Sequence, residues 1–313
     1  MAEEMYAFSR IEGAVHRTKA LLWPFEWGVW LRLVIIALFV SGGISIPNTF
    51  QYRFDGSDFA TGAIGFTPAG VATIMLVILA VVLVVALIWA FIGATMRFVF
   101  VDMLSTGDIH IRRFFRERLG KGVRLFIFEI VLTAAMLIAM VASALLLFGF
   151  WGTHTATPLL LIALIPLILV AAILFGLVFL LTTDFVVPIM VSEDCGVIAG
   201  WRRLIGVISS QLWQTIVYVI TRFVLGLVAA IAQMILVIIA LLVIAIPFVL
   251  IGIVFLAILQ GRNLILLLAL GVPYLIIAIP VTLLIAVPFV TFFRYYTLLV
   301  LEGLRPEYRL LPE

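Results

Sequence analysis

"TTDFVVPIMVSEDCGVIAGWRRL", residues 182–204, places an aspartate and a proline inside an apolar run, turns through Ser192-Glu193-Asp194, and finishes on Trp201-Arg202-Arg203. A long apolar segment precedes this stretch and another follows it. The pattern is that of a chain leaving an oily phase, turning in water beside charged headgroups, and going back in. It predicts an elbow between two membrane spans, with Asp184 left on the oily side.

Composition agrees. Of the 313 residues, 66% are hydrophobic and 11% charged, with a mean hydropathy of +1.36, whereas a soluble domain is about half apolar and a quarter charged. Several apolar runs exceed the roughly 20 residues that cross a hydrocarbon core. The expected fold is all-α: a polytopic transmembrane helical bundle of about six spans, forming a single integral membrane domain over residues 1–313.

The distribution of charge orients the bundle. Of 19 Lys and Arg, 13 fall in residues 1–31, 103–124, 192–211 and 302–313. Short loops rich in Arg and Lys stay cytoplasmic, so these four segments should share one side, with both termini on the cytoplasmic face of the plasma membrane. The first long apolar run starts after Trp27 and has no small-residue cleavage site, so no cleavable signal peptide is expected.

The expected order is an interfacial helix within residues 1–26, then spans over 27–46, 70–101, 123–150, 159–191, 213–245 and 264–301, with 47–69 as an exterior loop. Residues 212–260 exceed one crossing and fall short of two, and Pro247 suggests a kink with a partly buried return. Pro273, Pro280 and Pro288 bend the last span. The elbow "TGDIHIRRFFRERLGKGVRL" carries Arg112, Arg113, Arg116, Arg118, Lys121 and Arg124. With Arg202 and Arg203 of the second elbow, these arginines and Lys121 form basic collars for anionic headgroups.

A faint repeat underlies the elbows. "FVFVDMLSTGDIHIRRFF" (98–115) lies without gaps on "VVPIMVSEDCGVIAGWRR" (186–203), matching Gly107 to Gly196 and Arg113 to Arg202. The tail "FFRYYTLLVLEGLRPEYR" echoes the first half of the unit and the head "SRIEGAVHRTKALLWPFEW" the second. Duplication and convergence on one physical pattern both account for it.

Charges inside apolar runs are costly and face protein or water. Here they are Arg32, Arg97, Asp102, Glu129, Asp184, Arg222 and Arg294. Most sit six to twelve residues from an elbow, hence about 10–18 Å deep at about 1.5 Å per residue. They should form one layer near the inner leaflet, with Asp184 paired to Arg222 because a short elbow joins their spans. Two roles fit: structural ion pairs, or a cytoplasm-facing polar cavity in which Asp184, Arg222, Arg97, Arg294, Glu129 and Arg32 meet the acidic head of a lipid or amphiphile.

Other chemistries find little support. Cys195 is the sole cysteine and three histidines are scattered, so no metal site is expected. Phosphate loops, hydrolase triads and zinc-protease motifs are absent, so neither a cofactor nor an enzyme activity is expected. Membrane attachment already explains the basic charge, so no nucleic-acid partner is expected. Membrane lipids are the expected partners, and a homo-oligomer or a partner membrane subunit is left open.

"LLWPFEWGVWLRL" (21–33), "DFVVPIMVSEDCGVIAGW" (184–201) and "FFRYYTLLVLEGL" (292–304) together resemble an uncharacterised family of archaeal and bacterial multi-span membrane proteins. That family is distantly similar to the membrane domain accompanying some glycerophosphodiester phosphodiesterases. The resemblance implies a helical membrane domain. It implies no hydrolysis, since the catalytic barrel is absent from this sequence.

Overall fold

The computed structural model describes residues 6–40, 68–108, 110–149, 156–259 and 264–312. Every regular element among the described residues is helical. The expected exterior loop, 47–69, lies almost wholly outside them. Five helices are long and apolar enough to cross a membrane, and a shorter apolar helix, Trp27–Val40, precedes them.

The chain opens with α1 (Tyr6–Leu22), which buries Ala7, Ala14, Thr18 and Leu22. That spacing of seven, four and four is one helical face, and Glu12, His16 and Lys19 point outward. In α2 (Trp27–Val40), Leu33, Ile36 and Ala37 are buried, again one stripe. Next come α3 (Pro68–Thr106) and α4 (Ile111–Gly149), joined by a turn in which Gly107 adopts φ 69°. Its N–H closes on Met103 O at 3.0 Å, a left-handed helix end that glycine adopts without strain.

After α5 (Ala156–Leu181), one π-helical turn spans Thr182–Val186 and leads into α6 (Val187–Ser192). A tight turn with Asp194 at φ 52° then enters α7 (Val197–Ser210), followed by α8 (Leu212–Leu259), α9 (Leu264–Leu304) and a 3-10 turn, Pro306–Tyr308. Where the sequence suggested a kink and return near Pro247, α8 runs unbroken through 48 residues. That is ~72 Å, more than twice the ~30 Å hydrocarbon thickness.

The two elbows are built differently. In the first, the basic run forms the opening turns of α4 itself. In the second it is a separate amphipathic helix, α7, broken from α8 at Gln211. This short helix buries Val197, Gly200, Leu204 and Val207, while Ile198 and Ile205 stand outward beside Arg202 and Arg203. Apolar side chains interleaved with arginines on an outer face suit a lipid interface.

Burial is concentrated at one end. Phe98, Phe100, Phe185, Tyr218, Tyr296 and Leu301 are essentially inaccessible, whereas Val81, Leu83, Ile173, Leu242 and Ile253 are more than half exposed. All four basic segments meet at the packed end. Lys121 Nζ lies 2.5 Å from Asp194 Oδ1, Tyr308 donates to Glu193 at 2.9 Å, and Arg17 donates to Pro312 O at 2.8 Å. Head and tail, which echo complementary halves of the elbow unit, pack on each other: Tyr296 donates to Ala7 O at 3.0 Å, and Gly303 fits under the Tyr6 ring.

Candidate functional site

Asp184 sits in the π turn, and Pro188 follows four residues later. A π turn bonds each N–H to the carbonyl five residues back, as Val187 N–H does to Thr182 O. Pro188 has no N–H to give to the next carbonyl, Thr183 O. Arg294 of α9 fills that place, its Nη1 donating to Thr183 O at 2.8 Å while Nη2 donates to Arg97 O at 3.1 Å. The proline in the opening stretch thus prepares an acceptor for a buried arginine.

The Asp184 carboxylate takes two partners from α8. Tyr218 donates its hydroxyl to Oδ2 at 2.8 Å, and Arg222 Nε donates to the same oxygen at 3.3 Å. Tyr218 and Arg222 are four residues apart and so share one face of α8. Arg222 also lies over the Phe293 ring, 3.8 Å from its centroid, a cation–π contact. Thr297 Oγ1 stands 3.2 Å from the Tyr218 hydroxyl.

Beside this cluster Arg97 of α3 pairs with Glu129 of α4, and its guanidinium rests over Phe179, 5.1 Å from the centroid. The Arg294 bond to Arg97 O joins the two ion pairs into one network. Its three arginines meet two carboxylates, and the surplus cation, Arg294, is enclosed by carbonyls and only 5% exposed.

Asp102, expected in the same layer, instead belongs to the elbow tier. Arg118 grips it with two bonds, Nε to Oδ2 at 2.6 Å and Nη2 to Oδ1 at 2.9 Å. Lys121 bridges the elbows, donating to Met190 O at 2.7 Å and pairing with Asp194. The adjacent Lys121 ammonium and the Arg118 guanidinium hold the Asp194 carboxyl below its ordinary 3.8. Arg203 pairs with Glu193 at 2.9 Å; burial and the Glu193 carboxylate push the Cys195 thiol up. Arg32, Arg112, Arg113 and Arg116 stand apart from the buried network and line a separate cleft with His110 and Glu117.

An open groove of about 840 Å³ runs from the Arg97–Glu129 pair toward the exposed ends of the helices. Val82, Val85, Ala86, Ile130, Ala134 and Leu137 are among its walls, so it is apolar except at the ion pair and Thr133. Arg97 Nε is buried there without a hydrogen-bond partner among the described residues. No three His, Cys, Asp or Glu side chains come together as a metal site among the described residues.

Of the residues singled out by sequence, the structure joins Asp184, Arg222, Arg97, Glu129 and Arg294, and sets Arg32 aside. Tyr218, Thr297 and the Thr183 carbonyl were not anticipated. Only Tyr218 had a signal, its place one turn before Arg222. A family model described as a family of unknown function (DUF7544) matches residues 5–311. No curated protein and no solved structure matches the chain.

Proposed function

Because the chain belongs to this family of unknown function (DUF7544), which hands down no activity, we propose from the geometry that it is a non-catalytic integral membrane protein that holds or passes a lipid-like amphiphile. The tail lies in the groove between α2, α3, α4 and α5, and the compact acidic head meets Arg97. One coincidence supports this reading: Arg97, whose Nε has no hydrogen-bond partner among the described residues, lies in the lining of a largely apolar groove. Ligand sites are mostly apolar clefts of ~300–1,000 Å³ with a few convergent polar groups, and this groove fits that description. The basic end faces the cytoplasm in this proposal, following the Arg and Lys bias. The likeness to phosphodiesterase-associated membrane domains belongs to the same proposal, supported by the aromatic and proline-containing span ends.

A structural scaffold is the second reading. What favours it is that Asp102, Glu129 and Asp184 are each bonded to an arginine, so none of these three buried acids is left without a partner. Native mass spectrometry after gentle extraction separates the two. The amphiphile reading expects one co-purifying species per chain, lost when Ala134→Trp fills the groove while the melting midpoint holds. Absence of any bound species, or its retention by Ala134→Trp, would sink it in favour of the scaffold.

A further inference from the structure

We propose a second, separate site: a phosphomonoester-binding cleft formed by Arg32 of α2 with His110, Arg112, Arg113 and Arg116 at the first elbow. These residues and Glu117 line an open cleft of about 960 Å³ at the basic end. The groove at Arg97 has one ion pair in apolar walls, whereas this cleft has four arginines against one carboxylate. Its ligand chemistry is therefore different.

The charge balance inside the cleft is uneven. Arg113 Nε donates to Glu117 Oε1 at 3.1 Å, one turn along α4, so the only acid among the described residues lining the cleft is already engaged. His110 Nδ1 is paired with Asp108. Neither Arg112 nor Arg116 forms an ion pair among the described residues, and both are exposed. Four residues apart on α4, they project on one side, and Arg32 faces them from another helix. Cations at the start of a helix also oppose its dipole. No ion pair among the described residues offsets Arg112 and Arg116 in the first two turns of α4, so an anion that they can share answers a cost the fold leaves standing.

The chemistry that suits them is a phosphomonoester. A guanidinium gives two parallel N–H bonds to phosphate oxygens, and a monoester near neutral pH carries ~1.5–2 negative charges and three acceptor oxygens. A phosphodiester headgroup offers one charge and two free oxygens, and so uses fewer of the donors. Converging arginines from α2 and α4 thus select monoester over diester, which scattered surface charge does not do. The ligand is a lipid with a terminal phosphate, such as phosphatidic acid, or a free phosphomonoester.

The test uses the full chain in mild detergent. Native mass spectrometry follows retention of short-chain phosphatidic acid and of phosphatidylglycerol, with glycerol 3-phosphate as a soluble competitor. We expect about tenfold preference for phosphatidic acid, and its loss in the Arg112→Gln, Arg116→Gln double variant, in line with removal of charge-assisted hydrogen bonds. Lys19→Gln, on the outward face of α1, should leave the preference intact. Displacement by glycerol 3-phosphate identifies a soluble ligand; resistance to it identifies the lipid. Equal retention of the two lipids, or equal weakening by Lys19→Gln, overturns the proposal and leaves diffuse surface charge. Both proteins' melting midpoints serve as the folding control.

Discussion

Asp184 shows how one side chain gathers others, two from α8 directly and Thr297 of α9 through the Tyr218 hydroxyl. Its carboxylate is 6% exposed, and its charge is tolerable because Tyr218 and Arg222 both donate to it. Replacing one partner of a buried pair leaves the other charge unpaired, at a cost of ~3–5 kcal/mol. Asp184→Asn should therefore lower stability by about 3 kcal/mol, toward the lower bound because the Phe293 face still covers Arg222. Tyr218→Phe removes one hydrogen bond without orphaning a charge and should cost about 1 kcal/mol. Thermal or denaturant melts in one detergent check both, and similar losses for the two variants would contradict the assigned hierarchy. The Asp184–Arg222 pairing could be read from the sequence, since a short elbow brings positions at similar distances from it to one level. Arg294 could not be placed that way. Its partners are the Thr183 carbonyl, freed by a π turn and a proline, and the Arg97 carbonyl within α3, and backbone acceptors leave no charge pattern to read.

At the level of single elements, the glycines of α4 separate close approach from mere helix content. Gly122 packs where α4 meets α3, and a Cβ there would overlap the Thr95 side chain, whose own Cβ would lie 2.9 Å away. Gly120, half a turn earlier, has nothing within 4 Å. Gly122→Ala should destabilise by about 2 kcal/mol through overpacking. Gly120→Ala should be neutral or stabilising by up to about 1 kcal/mol, because alanine is the better helix former. Equal effects in unfolding melts would rule out the close approach of α3 and α4.

The C-terminal turn gives a second element-scale outcome, through pH. Tyr308 donates to Glu193, and burial together with that carboxylate pushes its hydroxyl from 10.0 up to about 12. A raised folded value means that the protonated form is stabilised by folding. The contribution is complete below pH 10, and it is lost as pH rises through about 12. The alkaline fall in melting midpoint over that window should shrink in Tyr308→Phe. Sequence foretold an elbow at each of these places but not their forms. Gly107 and Gly196 align, yet the left-handed residue of the second turn is Asp194, two positions earlier, so matched glycines did not mean matched backbones. Continuity of α4 against the break between α7 and α8 turns on Gln211 leaving the helical region, which no strong helix breaker announces.

For the whole molecule, the two ends divide the work: one end is packed and charged, the other apolar and open to lipid. The termini meet at the packed end, through Tyr296 and Ala7 and through Arg17 and Pro312. Five helices are long and apolar enough to cross a membrane, and the apolar α2 is shorter. The convergence of the basic segments at one end was legible from charge alone, because 13 of 19 basic residues fall in them. The splaying of the outer halves was not legible, since an apolar residue facing lipid and one facing a neighbouring helix look alike in sequence.

Which side the basic end occupies is open to direct measurement. In a Cys195→Ser background, single cysteines at Ser9 in α1 and Ser209 in α7, both exposed, report on separate elbows. The Arg and Lys bias predicts that a membrane-impermeant maleimide labels neither in intact cells and both after permeabilisation. Labelling of both from outside would invert the orientation while leaving the fold standing. Labelling of one but not the other would place the two basic segments across the bilayer from each other. That outcome is incompatible with Arg17 donating to Pro312 O and Tyr308 donating to Glu193, the contacts that tie α1 to the C-terminal turn and that turn to the second elbow.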